Sequence, residues 1–306
     1  MNGDFPSLTI FIPTKDRKSD LLECLSSLQQ LDYPKNRLEI IIWDNNSNDG
    51  TEEVVKIKLS EMEKESWLKL QIIKSPDNIG PYLPYNEVLL KRENSTDYIL
   101  GIDDDVVLEE QTLKKMIEAV KLHQNAGILG GRIVYHDFPD KTVQSAGFIN
   151  WWLGKYRSLT TSELKECDYV IGCGWLINRK LFQEIGGFDK DYFTMHWEMD
   201  FCARVKKKGY KIFYQPEAVI KHKISPQRKR DGLYYLYRNK LLLIKKNASL
   251  FQKITSLSLY AILWLPKILF DSIIINKGID INEFKIIFKA FFDGITGRVG
   301  KQDMNI

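Results

Sequence analysis

Three consecutive carboxylates, Asp103, Asp104 and Asp105, are the residues of this 306-residue chain whose type and spacing most clearly indicate chemistry. They follow the apolar segment 98–102, a pattern typical of a buried strand. Adjacent carboxylates at a strand end repel one another, so a compensating cation is expected nearby. Mg²⁺ and Mn²⁺ suit such oxygen ligands and typically bind one or two carboxylates together with substrate phosphates. The triplet therefore predicts a metal site, and the alternative is that Asp104 or Asp105 caps a following helix.

Two further polar residues, Asp16 and Asp44, also follow apolar segments, 8–13 and 38–43. Near-continuous apolar strands that alternate with helical patterns indicate a parallel sheet covered on both faces. In such sheets ligands bind beyond the carboxyl ends of the strands. Because acidic residues follow three strands of one predicted sheet, the sequence predicts a single binding site at that edge.

The pattern of elements becomes less regular after residue 126 and helical after residue 230. The expected strands are 69–73, 127–134, 169–178 and 210–214, and the expected helices are 51–65, 85–91, 198–208, 233–246, 254–275 and 282–292.

Composition describes an ordinary globular protein, with 44% hydrophobic and 27% charged residues and a net charge of +4. This mild charge gives no indication of nucleic-acid binding. The basic residues gathered in the C-terminal third of the chain are compatible with an anionic membrane surface or a phosphate-bearing substrate. The cysteines lack CxxC spacing, which predicts free thiols in a reducing compartment, and the first residues do not resemble a signal peptide. The expected location is therefore cytoplasmic.

A series of motifs carries a resemblance over nearly the whole chain. In order they are TIFIPT at 9–14, IIWDNNSNDGT at 41–51, NIG at 78–80, the DDD triplet, IGCGWLINRKLFQEIGGFD at 171–189, WEMDFCARVKKKGYKI at 197–212, His222 in VIKHKIS, and YRNKLLLIKKN at 237–247. In this order they resemble the inverting GT-A glycosyltransferases of family 2, and within it the rhamnosyltransferase-like members. The resemblance implies a Rossmann-like mixed α/β sheet with helices on both faces. It also implies a catalytic domain at 1–225, with a nucleotide-binding half to about 125 and an acceptor half from about 126, and a helical extension at 226–306.

The resemblance also implies donor-site roles. Asp44 is similar to a residue that contacts the nucleobase, and Asp103 to one near the ribose and metal. Asp105 and His222 match metal ligands, so Mn²⁺ or Mg²⁺ is the expected cofactor. The other residues expected at the donor are Pro13, Thr14, Asp16, Arg17, Asn46, Asn78, Gly80 and Asp104.

The catalytic base implied by the family falls on Glu198. Relatives carry an E-D-x-D segment where this chain has WEMD, so Trp197 replaces a carboxylate and is expected to stack on a sugar. A shift of one residue at the helix start would make Asp200 the base, although capping or binding Arg204 is its expected role. Gly174 and Trp175, with Gly172, are expected on the acceptor side, where glycines let a ligand approach. The alternative for these glycines is a packing bulge.

A second departure from the family is the loop after Gly80. Relatives have a flexible glycine-rich stretch there, whereas this chain has two prolines, Pro81 and Pro84, which stiffen the backbone.

The predicted reaction is an inverting transfer from a nucleoside-diphosphate sugar, dTDP-rhamnose or similar, to a hydroxyl of a glycan or polyprenyl-linked glycan in cell-surface polysaccharide synthesis. One alternative is a nucleotidyltransferase, although residues 13–17 lack its glycine-rich signature. The other is a non-catalytic sugar-nucleotide or glycan-binding homologue. Residues 254–275, with Tyr260, Trp264 and Phe270, predict peripheral contact with the inner face of the cell membrane, helped by Arg228–Arg230. A buried helix or a homodimer contact is the alternative for this segment.

Overall fold

The computed structural model describes residues 5–91, 96–143, 145–223, 230–275 and 280–302. The strands are β1 Leu8–Thr14, β2 Leu38–Asp44, β3 Lys69–Lys74, β4 Tyr98–Gly101, β5 Val106–Leu108, β6 Ala126–Tyr135, β7 Phe138–Thr142, β8 Ala146–Asn150, β9 Lys155–Ser158, β10 Lys165–Cys167, β11 Tyr169–Val170, β12 Trp175–Asn178 and β13 Lys211–His222. The α-helices are α1 Lys18–Gln29, α2 Thr51–Met62, α3 Leu83–Tyr85, α4 Thr112–Leu122, α5 Arg179–Ile185, α6 Trp197–Lys207, α7 Arg230–Asn247, α8 Leu250–Leu259, α9 Leu265–Ile275 and α10 Ile281–Thr296. Short 3₁₀ turns occupy Lys35–Arg37 and Glu63–Glu65, and π-helical turns occupy Asn86–Leu90 and Tyr260–Trp264.

The main sheet is mixed, as predicted. Within the described residues its strand order is β10-β13-β6-β12-β4-β1-β2-β3, with β5 paired to β13 and β7 to β6. Strands β1 to β4 form its parallel half, and β12 runs antiparallel between β4 and β6. The carboxyl ends of β1, β2 and β4 therefore meet at one edge, which brings the three predicted acidic segments together.

Two hydrophobic cores cover the two faces of this sheet. Alternate residues of β1 divide between them, because successive strand side chains point to opposite faces. Leu8, Ile10 and Ile12 pack in the first core, whereas Phe11 packs in the second. This alternation accounts for the helices that cover both faces.

The predicted strand at 169–178 is in fact two strands in different sheets. β11 belongs to a three-stranded antiparallel sheet, β11-β8-β9, and β12 lies in the main sheet. β13 extends well beyond the predicted 210–214, and β7 to β10 were not predicted. Strand β5 follows the carboxylate triplet directly and α4 begins only at Thr112, so the helix-cap alternative for Asp104 and Asp105 is wrong.

The C-terminal helices pack on the rest of the protein. Leu242 and Leu243 of α7 belong to the second core, and the Tyr234 hydroxyl donates to Asp293 of α10 at 2.7 Å. The expected helix at 254–275 begins earlier, at Leu250, after a capping box at Ser249. The predicted boundary at residue 225 lies outside the described residues.

Candidate active site

A cavity of about 440 Å³ lies at the carboxyl edge of the parallel strands, and we call it the strand-end pocket. Its lining consists of Pro13, Thr14, Lys15, Arg17, Asn45, Asn78, Gly80, Pro81, Asp103, Asp104, Asp105, Phe193, Thr194 and His222. Most of the residues predicted for donor and metal binding therefore line one pocket, although of the acidic residues predicted at the strand ends only the triplet at 103–105 does so.

Asp16 and Asn46 do not line this pocket. The Asp16 carboxylate is exposed, accepts a hydrogen bond from the Asn48 amide at 2.7 Å and lies 3.1 Å from the Lys15 ammonium. Asn46 takes a left-handed turn conformation with φ 65°, and its carbonyl accepts from Lys15. These two residues shape the loops after β1 and β2, so their predicted direct contact with the donor is corrected to a role in loop geometry.

Asp44 is fully buried at the end of β2. Its Oδ1 accepts from the Ser47 amide at 2.8 Å, whereas its Oδ2 has no hydrogen-bond partner within the described chain. A buried carboxylate oxygen without a partner is costly, and a ligand N–H would satisfy it. Asp44 thus retains a free acceptor beside the strand-end pocket, although it is absent from the pocket lining.

The metal ligands predicted from the sequence come together across the sheet. Residue His222 pairs with Val106 in the β13–β5 register, which places its ring beside the triplet. Its Nε2 lies 2.9 Å from Asp105 Oδ1 and 3.7 Å from Asp103 Oδ2. The Arg17 guanidinium also contacts Asp105. The centre therefore consists of paired carboxylates that are already compensated by positive groups.

The charges of this centre influence one another strongly. Burial and the nearby Asp105 raise the pKa of Asp104 to about 7, although Thr14 donates to its Oδ2 at 2.7 Å. Burial alone would raise the pKa of Asp105, but His222 and Arg17 outweigh it and hold that pKa below its ordinary value. Burial likewise acts to lower the pKa of His222, and the two carboxylates raise it instead. Such opposed effects favour a positive charge at this position.

The donor set fits a hard divalent cation, because two carboxylates and one imidazole converge at the wall of the strand-end pocket. Asp103, Asp105 and His222 would hold the ion. Cys173 also lies here, since its sulfur falls within 4.8 Å of ligand atoms on Asp103 and His222. Sequence reasoning missed this cysteine, because its only signal was a position inside the GCG segment.

Glu198 lies in the first turn of α6 and does not line the strand-end pocket. It borders a separate apolar cavity of about 10 Å³, among Trp175, Phe188 and Phe201. Its Oε2 is enclosed and has no hydrogen-bond partner in the described residues. Burial raises the pKa of Glu198 to about 7, and the Asp103 charge adds to this. A carboxylate with such a pKa suits proton transfer near neutral pH.

Asp200, the alternative base, is engaged in structural contacts. It is buried, and its carboxylate accepts from Arg204 Nε at 2.8 Å and from Asn247 Nδ2 at 2.7 Å. The predicted pairing with Arg204 is confirmed, and these contacts leave Glu198 as the carboxyl group of this segment with an unpaired oxygen among the described residues.

The residues predicted on the acceptor side are packing residues, and this part of the prediction is wrong. Trp197 is 9% exposed and stacks on Tyr82, with ring centroids 5.2 Å apart. Trp175 is buried against Gly101 and the aromatic core. A Cβ on Gly172 would lie 2.3 Å from the Trp197 ring.

Gly174 likewise faces protein rather than a ligand. It has φ +73°, and a Cβ there would lie 1.9 Å from Ile220 Cδ1. The packing-bulge alternative is therefore correct for both glycines.

The strand-end pocket also contains residues that were not predicted from the sequence. Phe193 and Thr194 come from the loop before α6 and approach Gly80 from the opposite side. Asn45 ties the two donor loops together, because its Nδ2 donates to the Gly80 carbonyl at 3.1 Å. The segment after Gly80 is anchored at Tyr82, whose hydroxyl donates to the Asp189 carbonyl at 3.1 Å. These contacts are long-range, so no local signal could have revealed them.

Comparison with solved structures defines the class of protein. The chain aligns with a mannosyltransferase from Pyrobaculum calidifontis, solved with GDP-Man and Mn²⁺, at a TM-score of 0.63 and 14% identity, covering 97% of this chain and 88% of that one. Together with the mixed sheet and strand-end acidic pocket, this defines a GT-A glycosyltransferase fold.

The family follows from the sequence. Residues 9–186 match the model of glycosyl transferase family 2, and residues 98–277 match glycosyl transferase family group 2. The chain belongs to glycosyl transferase family 2 and is a glycosyltransferase.

Its relatives are distant. It is 20% identical over 234 residues to the glycosyltransferase AglE of Haloferax volcanii, covering 74% of this chain and 70% of AglE. It is 25% identical over 226 residues to the probable glycosyltransferase YdaM of Bacillus subtilis, covering 71% of this chain and 50% of YdaM. It is 23% identical over 229 residues to an N-acetylglucosaminyl-diphospho-decaprenol L-rhamnosyltransferase of Mycobacterium tuberculosis, covering 65% and 71%. The chain thus spans between half and about seven-tenths of these relatives.

Proposed function

We propose that this glycosyltransferase is an inverting, metal-dependent enzyme that uses a nucleoside-diphosphate sugar, dTDP-rhamnose or similar. The acceptor would be a hydroxyl of a glycan or lipid-linked glycan in cell-surface polysaccharide synthesis. The observation that carries the proposal is the convergence of Asp103, Asp105 and His222 on the strand-end pocket. The name of the mycobacterial relative, a rhamnosyltransferase with a lipid-diphosphate substrate, supports this choice of donor and acceptor.

The donor would bind along the carboxyl ends of the parallel strands. Asp44 Oδ2 would accept a hydrogen bond from the nucleobase, because it is the buried acceptor without a partner. Asp103, Asp105 and His222 would hold Mn²⁺ or Mg²⁺, which neutralises the charge of the departing diphosphate. Arg17, which contacts Asp105 here, would turn its guanidinium toward the phosphates.

Glu198 would deprotonate the acceptor hydroxyl that attacks the anomeric carbon. The reaction then needs one base and no covalent intermediate, which is an inverting displacement. Since Glu198 does not line the strand-end pocket, the first turn of α6 must rearrange when the acceptor binds. Met195 and His196 immediately before it both have positive φ, 57° and 64°, and such strained backbone marks a place where two conformations are close in energy.

A thermal-shift panel of nucleoside diphosphates with Mn²⁺ tests the donor site, because specific binding to the folded state raises the melting temperature. We expect one base to stabilise the protein and EDTA to abolish the shift. Absence of stabilisation by every nucleoside diphosphate would contradict the proposal. Stabilisation by a nucleoside triphosphate alone would favour a nucleotidyltransferase, and binding without transfer would favour a non-catalytic homologue.

The C-terminal helices support peripheral attachment to the inner face of the membrane. Among the described residues, the run Leu250–Ile274 passes for a membrane span by length and composition, with a hydropathy of 1.6 and 17% of that window buried. Its exposed large apolar side chains are Leu250, Phe251, Ile254, Ile262, Leu263, Phe270 and Ile274. The Lys267–Asp271 ion pair, at 2.7 Å, lies on the same run and favours an interfacial position over a spanning one.

Two details of the membrane prediction change. Tyr260 is buried, so it does not lie at a lipid boundary as predicted, whereas Trp264 is half-buried and its indole donates to the Leu153 carbonyl. Arg228–Arg230 includes residues outside the described part of the chain. Phe270 is 62% exposed, which supports a lipid-facing position for its side chain.

Liposome flotation of the full chain tests this attachment. We expect the triple variant Phe251→Gln, Ile254→Gln, Phe270→Gln to stay unbound while the wild type floats. The matched control, Ile57→Gln, Leu122→Gln, Phe138→Gln, removes equally exposed apolar side chains elsewhere and should float normally. Equal flotation of both variants would leave the helices a purely structural role or a dimer contact.

A further inference from the structure

A second cavity, of about 670 Å³, lies between the β8–β9 hairpin and the start of α8, and we call it the hairpin cavity. Its lining is aromatic and basic: Phe148, Ile149, Asn150, Trp151, Trp152, Leu153, Lys155, Tyr156, Arg157 and Gln252. It contains no carboxylate among the residues that the structure describes. Neither Lys155 nor Arg157 forms an ion pair within the described ranges, so both positive charges are available to an anion.

The hairpin is held in place by the C-terminal helices. Trp264 Nε1 donates to the Leu153 carbonyl at 3.1 Å, and the Lys155 ammonium lies 3.8 Å from the centre of the Trp264 ring. Gly154, with φ +59°, packs against Ile244 of α7. These contacts fix the turn, so the cavity wall is preformed rather than a mobile loop.

The lining has the chemistry of a phosphorylated sugar site. The Trp152 ring, part of a residue 52% exposed, offers an apolar face to the C–H groups of a sugar. The Arg157 guanidinium lies 5.1 Å from the Phe148 ring, which orients its planar donors. An arginine held in this way binds phosphate through two parallel hydrogen bonds. A neutral glycan would leave both cations of the cavity unused.

The hairpin cavity also adjoins the helix that carries Glu198. Tyr156 lies with its ring centroid 5.5 Å from that of His196, the residue before α6. The Tyr156 hydroxyl and His196 Nδ1 are buried and have no hydrogen-bond partner in the described structure. Burial raises the pKa of Tyr156, and the Glu198 charge contributes. These two unpaired polar atoms therefore lie buried behind the Tyr156 wall of the cavity, on the side of α6.

We propose that the hairpin cavity binds the phosphate- or diphosphate-linked glycan that serves as acceptor. Arg157 and Lys155 bind the phosphate, Trp152 packs on the sugar, and Tyr156 contacts the part of the acceptor nearest Glu198. The inference rests on the proposed function, because it places the acceptor of that reaction. Gln252 lines the cavity beside Phe251 of the exposed apolar run, so a lipid attached to the phosphate would meet that surface.

The test uses full-length protein and a water-soluble probe, the methyl ester of N-acetylglucosaminyl diphosphate, titrated by calorimetry in EDTA so that the metal centre does not contribute. We expect Arg157→Gln to weaken binding by about tenfold or more, as loss of a charged hydrogen bond does. Trp152→Ala should weaken it several-fold. N-acetylglucosamine without phosphate should bind the wild type at least about tenfold more weakly.

The β6–β7 hairpin offers a matched control, because Lys141 lies 5.1 Å above the exposed Phe138 ring there. Lys141→Gln and Phe138→Ala should leave probe binding unchanged. Absence of saturable binding to the wild type, or equal binding by all variants, overturns the proposal. If nucleoside diphosphate with Mn²⁺ still stabilises that wild type, the proposed function survives the failure. If Arg157→Gln instead lowers binding only to phosphatidylglycerol vesicles, the cavity is a lipid-headgroup site and the proposal is wrong.

Discussion

The carboxylate of the metal site and the carboxyl group of Glu198 lie in opposite surroundings. Asp105 lies at the strand-end pocket, where His222 and Arg17 compensate its charge and hold its pKa below the ordinary value. Glu198 lies alone in an aromatic enclosure, with an unpaired oxygen and a pKa raised by burial to about 7. The surroundings of each carboxylate, rather than its residue type, therefore determine whether it suits the role of metal ligand or of base. A compensated carboxylate such as Asp105 stays ionised and can hold a cation, whereas an isolated carboxyl group such as Glu198 can exchange a proton near neutral pH.

The largest expected effect is at the isolated carboxylate. Glu198→Gln keeps the shape of the side chain but cannot accept a proton, so transfer should fall by about 10²–10⁴-fold while nucleotide affinity stays unchanged. Steady-state kinetics and calorimetry measure the two separately. Asp200→Asn is the control: it should lower the melting temperature, because it breaks buried hydrogen bonds. A stable, inactive Asp200→Asn beside an active Glu198→Gln would move the base to Asp200.

A substitution at the metal site should have the opposite effect, since it should weaken nucleotide binding. Asp105→Asn should weaken Mn²⁺-dependent nucleotide binding by about 100-fold, because even outer-shell partners of metals are worth 10–100-fold. Binding measured in EDTA should change little. Calorimetric titration with and without Mn²⁺ gives both values, and equal affinity of mutant and wild type in Mn²⁺ would refute the ligand assignment.

The pH dependence of the rate sharpens the contrast. A base must be ionised to act, so kcat/KM, which reports the free enzyme, should rise about tenfold per pH unit below pH 7 and level off above it, following Glu198. The residual activity of Glu198→Gln should lack this limb. If the rate of the mutant still rises with pH below pH 7, the titrating group is a residue other than Glu198.

The smallest effect is expected at Asp16. Its exposed carboxylate only joins two loops, so Asp16→Asn should change nucleotide affinity less than about threefold and leave the melting temperature nearly unchanged. Asp44→Asn, at the neighbouring strand end, should weaken nucleotide binding by about tenfold, because it removes a buried acceptor. Similar losses in both mutants, measured by calorimetry, would contradict the assignment of Asp16 to loop geometry.

The parallel half of the fold was predictable because its signals are local. Apolar runs such as 38–43 mark strands, and the residue after each run must lie at the carboxyl edge. His222 required the family resemblance, since the β13–β5 register that brings it to Asp105 joins distant segments.

The acceptor half was predicted less well, for a physical reason. Aromatic residues and glycines there fit each other, as Gly172 fits Trp197, and such complementarity cannot be read from one segment. The position of Trp197 in its motif therefore suggested that it stacks on a sugar, whereas in the folded chain it is a buried core residue. The hairpin cavity was missed likewise, because β9 meets α8 only in the folded chain.

The central claim is that Asp103, Asp105 and His222 form the metal centre of the donor site. Anomalous diffraction at the manganese edge, from a crystal grown with Mn²⁺ and the nucleoside diphosphate that stabilises the protein, tests it directly. We expect one peak at bonding distance from Asp105 and His222, with Arg17 turned toward the phosphates. A peak bound elsewhere, or a bound diphosphate with no metal beside these residues, would contradict it.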